Sequence, residues 1–148
     1  MTGINVIFRL HIYTLAGILM FISTYVYTQV LQNDDMTCPD SPNCVSSKAD
    51  SNSSHYIAPY TFNDSPDKAM ARLNEALLQE KRVTIVTNEP TVLRAEVKSF
   101  IFRFVDDVEF TMLAEQGLIH VRSASRTGYY DLGVNRARLE RIRVLFQN

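Results

Sequence analysis

Residues 122–136, RSASRTGYYDLGVNR, hold the densest run of side chains able to do chemistry. Arg122, Arg126 and Arg136 stand beside Ser123, Ser125, Tyr129, Asp131 and Asn135, and Gly128 and Gly133 let the backbone turn between them. So many directional groups need partners if they are buried, so the stretch reads as one wall of a polar site or as a buried polar network. Asp106 joins this set. In FVDDVEF, strand alternation turns Asp106 with Val108 toward the apolar face, where a carboxylate needs a partner. The bidentate geometry of a guanidinium makes an arginine of the central stretch, Arg126, the expected one.

Two readings compete for this set. In the first, a carboxylate or phosphate is held by Arg126, Arg136 and the unpaired N–H groups of a helix starting at Asn135, with Arg122, Ser123, Ser125 and Tyr129 around it. In the second, Asp131 and Asn135 cap the helix, the arginines pair with Asp106 and Asp107, and nothing binds. Asp107 and Glu109 are expected on the wet face, paired across strands with Arg94, Lys98 or Arg122, rather than as ligands of a hard cation. Catalysis has little support. Ser123 and Ser125 face away from His120 in a regular strand, and His55 follows a Ser-rich segment. A nucleophile elbow, a phosphate-binding glycine loop and a zinc-hydrolase helix motif are all missing. No catalytic residue, metal or cofactor is assigned. A hydrolase or lyase built on Asp106 and Arg126 stands as the least supported alternative.

The elements that must position these residues follow from periodicity. Ser65-Pro66 starts a helix over residues 66–80, with Ala69, Met70, Leu73, Ala76 and Leu77 on one face. Residues 83–87 are β-branched, residues 92–99 and 107–112 alternate, and Glu115-Gln116-Gly117 turns the chain into a returning strand over residues 118–125. HYIAPYTF, residues 55–62, is a candidate first strand, confined to an edge by Pro59. Leu139, Ile142 and Phe146 stripe a final helix with Asn135 as its N-cap. The order β-α-β-β-β-β-α predicts an α+β layer: an antiparallel sheet of four to five strands with two helices on one face, across residues 55–148.

Ahead of it, residues 1–33 carry one formal charge, Arg9, and Ile12 to Leu31 form an uncharged run long enough to span a bilayer as a helix. Tyr25 and Tyr27 suit the membrane interface, and Arg9 before the span predicts a cytoplasmic N-terminus and an exported C-terminal domain, in the periplasm or an equivalent lumen. A cleaved signal peptide would show a shorter apolar core and a small-x-small site, and no clean one precedes Asn33. Residues 34–54 read as a linker rich in Asp, Asn, Ser and Pro, mobile over residues 46–54. Within it Cys38 and Cys44 bracket Asp-Ser-Pro-Asn, and in an exported chain they are placed to close a disulfide loop. One pair is too few ligands for a metal, and the spacing is not that of a redox C-x-x-C.

The net charge of −1 argues against general nucleic-acid binding. Six arginines between residues 122 and 143, against Asp131 and Glu140, could still attract an anion or a lipid headgroup.

CPDSPNCVSS (residues 38–47), AEVKS (95–99), FVDDVEF (104–110) and HVRSASRTGYYDLGVNR (120–136) together resemble the domain-of-unknown-function family 1499. The resemblance runs from Cys38 to about Arg143 and implies a small domain, often exported or membrane-attached, with no established activity and no catalytic residues to transfer. The expected function is therefore a membrane-anchored exported domain that binds a small anionic ligand or a partner protein without catalysis. The alternative is an accessory subunit of a membrane complex.

Overall fold

A computed structural model describes Met36–Asn148. The predicted anchor, residues 12–31, lies outside the described residues, among which no helix is long and apolar enough to cross a membrane.

Among the described residues, six strands and two α-helices follow in order: β1 Cys44–Ser46, β2 Tyr60–Thr61, α1 Pro66–Leu78, β3 Val83–Asn88, β4 Val92–Lys98, β5 Val105–Leu113, β6 Leu118–Ser125 and α2 Val134–Gln147. All strands pair antiparallel in the order β1-β6-β5-β4-β3, and β2 also pairs with β6. The α+β layer expected from the sequence is present. Leu93, Ala95 and Val97 of β4, Val108, Phe110 and Met112 of β5, and Ile119 and Val121 of β6 form one core with the apolar stripes of both helices. That alternation is the period-two pattern of a sheet covered on one side. Tyr60 sits at its centre, stacked on Phe146 at 5.7 Å between ring centroids, and its hydroxyl donates to the Leu139 carbonyl at 2.5 Å. Burial pushes this phenol's pKa upward despite the nearby Arg143.

Three local expectations need correction. The supposed linker enters the sheet: Cys44, Val45 and Ser46 lie opposite Ala124, Ser123 and Arg122 of β6 and are buried. A strand of three residues has too short a pattern to stand out in sequence, and it forms because β6 offers an open edge. Of the candidate strand over residues 55–62, only Tyr60–Thr61 forms a strand, directly after Pro59, while Tyr56 makes an isolated parallel bridge to Ser46. The helix begun at Pro66 ends at Leu78 rather than at residue 80, with Ser65 in extended conformation ahead of it.

The turn into β6 depends on Gly117. A short 3-10 turn, Ala114–Gln116, ends on Gly117 at φ +62°, and a Cβ there would stand 2.7 Å from the carbonyl oxygen of Phe62. The close approach is functional for the fold, since Phe62 N–H donates to the Gly117 carbonyl at 2.9 Å. Gly117→Ala is expected to destabilise the domain by about 1–3 kcal/mol, read as a lower denaturation midpoint. An unchanged midpoint would mean that the turn is not constrained.

Candidate functional site

β5 lies between β4 and β6, so its side chains decide which groups meet. Alternation holds: Asp106 is 7 % exposed on the core face, while Asp107 and Glu109 take the other face. On that other face Arg122 Nη1 donates to Glu109 at 2.9 Å, and Arg94 approaches the same carboxylate at 3.5 Å. Arg126 grips Asp107 with Nε and Nη2 at 2.9 and 2.7 Å and reaches Glu96 at 2.7 Å. The hydrogen bonds it donates to Asp107 and Glu96 raise the Arg126 pKa above its ordinary value. Arg126 is therefore not the partner of Asp106; the two lie on opposite faces of the sheet.

Asp106 is paired instead with Arg138 of α2, whose Nη2 donates to it at 2.5 Å. Both are buried. Arg138 also donates through Nη1 to Ser123 Oγ at 3.0 Å and to Asn135 Oδ1 at 2.7 Å. Sequence reasoning missed this residue, although Arg138 and Asn135 continue the helical stripe of Leu139, Ile142 and Phe146. A charged residue inside an apolar stripe was the available signal.

The polar groups that do converge form an internal network. Asn135 is fully buried and receives a bond from Ser123 Oγ at 2.6 Å. Its Nδ2 donates to the Asn43 carbonyl at 2.9 Å, to Ser125 Oγ at 3.1 Å and to Asp131 Oδ2 at 2.8 Å. Asn43 continues it, its Nδ2 donating to the Gly128 carbonyl at 2.5 Å. The Cys38–Cys44 disulfide closes the loop that carries Asn43. Motifs far apart in sequence, CPDSPNC, FVDD and the arginine-rich stretch, thus lock the strand end, the loop and the helix start together.

Asn135 is not the N-cap. Gly133, at φ +76°, precedes the helix, and the Asp131 carboxylate accepts from the N–H groups of Gly133 and Asn135, both at 2.9 Å. The place expected for a bound anion is filled by the chain's own carboxylate. Arg136 commits its Nη2 to the carbonyls of Ser54 and Tyr56 at 2.7 and 2.8 Å, and Tyr129 is 75 % exposed. A hollow of about 170 Å³ borders Asp131, Arg136, Tyr130 and His55. The nine residues expected at one point therefore divide. Asp106, Ser123, Ser125, Asp131 and Asn135 share the network, while Arg122, Arg126, Arg136 and Tyr129 stand apart from it.

Neither histidine of the described chain completes a serine-based catalytic array. His120 Nδ1 lies 3.0 Å from Ser47 Oγ, which already accepts the Val121 N–H, and His55 Nδ1 meets the Cys44 carbonyl at 2.9 Å. Among the described residues no three His, Cys, Asp or Glu side chains gather to hold a metal.

A larger space opens on the other side of the Asp106–Arg138 pair. It has a volume of about 700 Å³ and lies between residues 79–82 after α1, the end of β4, and α2. Val97, Phe100, Val134, Val144 and Leu145 give it apolar walls, and Asp106 and Arg138 border it. Five cationic side chains (Lys81, Arg82, Lys98, Arg138 and Arg141) face two acids, Glu80 and Asp106, which leaves three uncompensated positive charges. Glu80 is engaged by Arg141 at 2.9 Å and Asp106 by Arg138 at 2.5 Å, so the excess rests on Lys81, Arg82 and Lys98. Arg138 Nε, buried, has no hydrogen-bond partner. Apolar walls with a few directed polar groups are the usual make-up of a small-molecule site, and this volume is in the usual range.

The profile of a family described as "Protein of unknown function (DUF1499)" matches residues 36–146. The chain belongs to the DUF1499 family. Comparison with curated proteins and with solved structures finds no match. Within this DUF1499 domain the four motifs that resembled the family do structural work at one end of the sheet, and the groove lies beside them.

Proposed function

We propose that this chain is a membrane-tethered, exported binding domain, non-enzymatic, whose groove takes a small anionic ligand with an apolar part. The excess of three cations on an apolar-walled groove of about 700 Å³ carries this reading. A phosphate or carboxylate would meet Arg82, Lys98 and Lys81, and an alkyl or aryl group would lie along Phe100, Val134 and Leu145. The uncharged run over residues 12–31 supports the tether, and Arg9 ahead of it supports export of the domain. Catalysis through Asp106 and Arg126 lacks geometric support, because the two groups face opposite sides of the sheet.

The test is calorimetric titration of the full chain in neutral detergent with hexyl phosphate, inorganic phosphate and hexanol. Hexyl phosphate is expected to bind most tightly. Replacing Arg82 and Lys98 together by alanine is expected to weaken it at least about tenfold, or roughly 1.4 kcal/mol. Equal binding of hexanol, or no binding of any anionic probe, would remove the reading. The competing role, an accessory subunit of a membrane complex, would show as a partner protein that co-purifies with the full chain and is lost when residues 1–33 are deleted.

A further inference from the structure

The turn between β4 and β5, residues 99–104, carries four exposed apolar side chains in one short run. Phe100, Ile101 and Phe102 are 78 %, 76 % and 72 % exposed, and Phe104 is 49 % exposed. The projection is a built one. Ser99 N–H donates to the Phe104 carbonyl and Phe104 N–H to Ser99 Oγ, both at 2.9 Å, and Arg103 turns the tip at φ +53°. Phe102 and Phe104 stack at 5.5 Å. Cations surround the aromatic tip: Arg103 within it, Lys98 just before it, and Arg82, whose guanidinium lies 5.5 Å over the Phe100 ring. Among the described residues none of the three has a carboxylate partner.

Contiguous exposed apolar side chains mark an interaction surface, and aromatic rings ringed by Lys and Arg match the interface of an anionic bilayer. The chain length points to the same occupant. Thr37, whose carbonyl accepts from Arg122 Nε at 2.9 Å, is only six residues beyond Leu31. A fully extended chain of that length reaches roughly 20 Å, so a domain tethered by residues 12–31 stays beside the bilayer. From these observations, and resting on the tether reading above, we infer that residues 99–104 insert into the headgroup layer of an anionic membrane. Because Lys98, Ser99 and Phe100 also line the groove, insertion sets the groove's mouth at headgroup level.

The chain contains no tryptophan, so a single one reports its own surroundings. Phe102→Trp places it on the tip. Gln116→Trp places it in the exposed β5–β6 turn at the opposite end of the sheet. Both full-length variants are reconstituted in phosphatidylcholine vesicles with and without phosphatidylglycerol, and with acyl chains brominated or not. The tip tryptophan is expected to emit further to the blue and to be quenched by brominated lipid, more so with phosphatidylglycerol. The control tryptophan is expected to do neither. A tip tryptophan as wet and unquenched as the control overturns the inference. An alkaline carbonate wash of the same vesicles then tells which reading failed: retention leaves the tether standing, and release removes the tether as well. A blue shift without lipid that grows with protein concentration assigns the tip to a second copy of the chain, and also overturns the inference.

Discussion

Arg138→Ala is expected to lower the unfolding free energy by about 3–5 kcal/mol, because it leaves the buried Asp106 carboxylate without its counter-charge. The same change removes donors from Ser123 and Asn135, both fully buried. Arg126→Ala is the control. Its guanidinium serves Asp107 and Glu96 on the wet face, where solvent replaces it readily. Denaturant unfolding of the two variants should separate them clearly, with Arg126→Ala close to the parent. The double replacement Asp106→Leu with Arg138→Met is expected to regain part of the loss, since an apolar pair needs no desolvated charge to be matched. A loss below about 1 kcal/mol for Arg138→Ala would show that water reaches Asp106.

Asn135→Leu keeps the number and branching of side-chain heavy atoms and removes every polar contact of the side chain, and is expected to cost about 2–4 kcal/mol. Ser123 Oγ and the Asn43 carbonyl lose a partner in a region closed to water. The effect should couple to Asn43→Ala, because the two side chains hold the same strand end from opposite sides of the network. A double-mutant cycle measuring a coupling of about 1 kcal/mol or more fits a single network. Additive losses would mean that Asn43 and Asn135 stabilise the fold independently.

How far the sequence carried these conclusions depends on the range of the interaction concerned. Alternation in β5 and β6 was local and readable. It placed Asp106 inward and Asp107 and Glu109 outward, with Arg94, Lys98 or Arg122 as candidate partners; of these, Arg122 and Arg94 meet Glu109. The same alternation puts Arg126 on the outward face, where it meets Asp107 and Glu96 and cannot reach Asp106. Arg138 was missed because a helix arginine is usually solvated, yet its place in the stripe with Leu139 and Ile142 announced burial. β1 was illegible for a different reason. Cys44–Ser46 is held by β6, far along the chain, and three residues carry no period of their own. The helix start was misread through Asn135 because Asp131, four residues earlier, supplies the capping carboxylate across the Gly133 turn. The groove could not be read at all, since its walls come from the segment after α1, the end of β4, the start of β5 and the length of α2, joined only in space.

Arg122 and Arg126 serve the sheet's wet face and Arg136 the carbonyls of Ser54 and Tyr56, while the proposed anion recognition belongs to the groove. Titrating hexyl phosphate into Arg82→Ala/Lys98→Ala and into Arg126→Ala/Arg136→Ala, side by side, tests that division most directly. The expected result is loss of binding in the first variant and near-parental affinity in the second. The opposite pattern would contradict it and return the site to the end of β6.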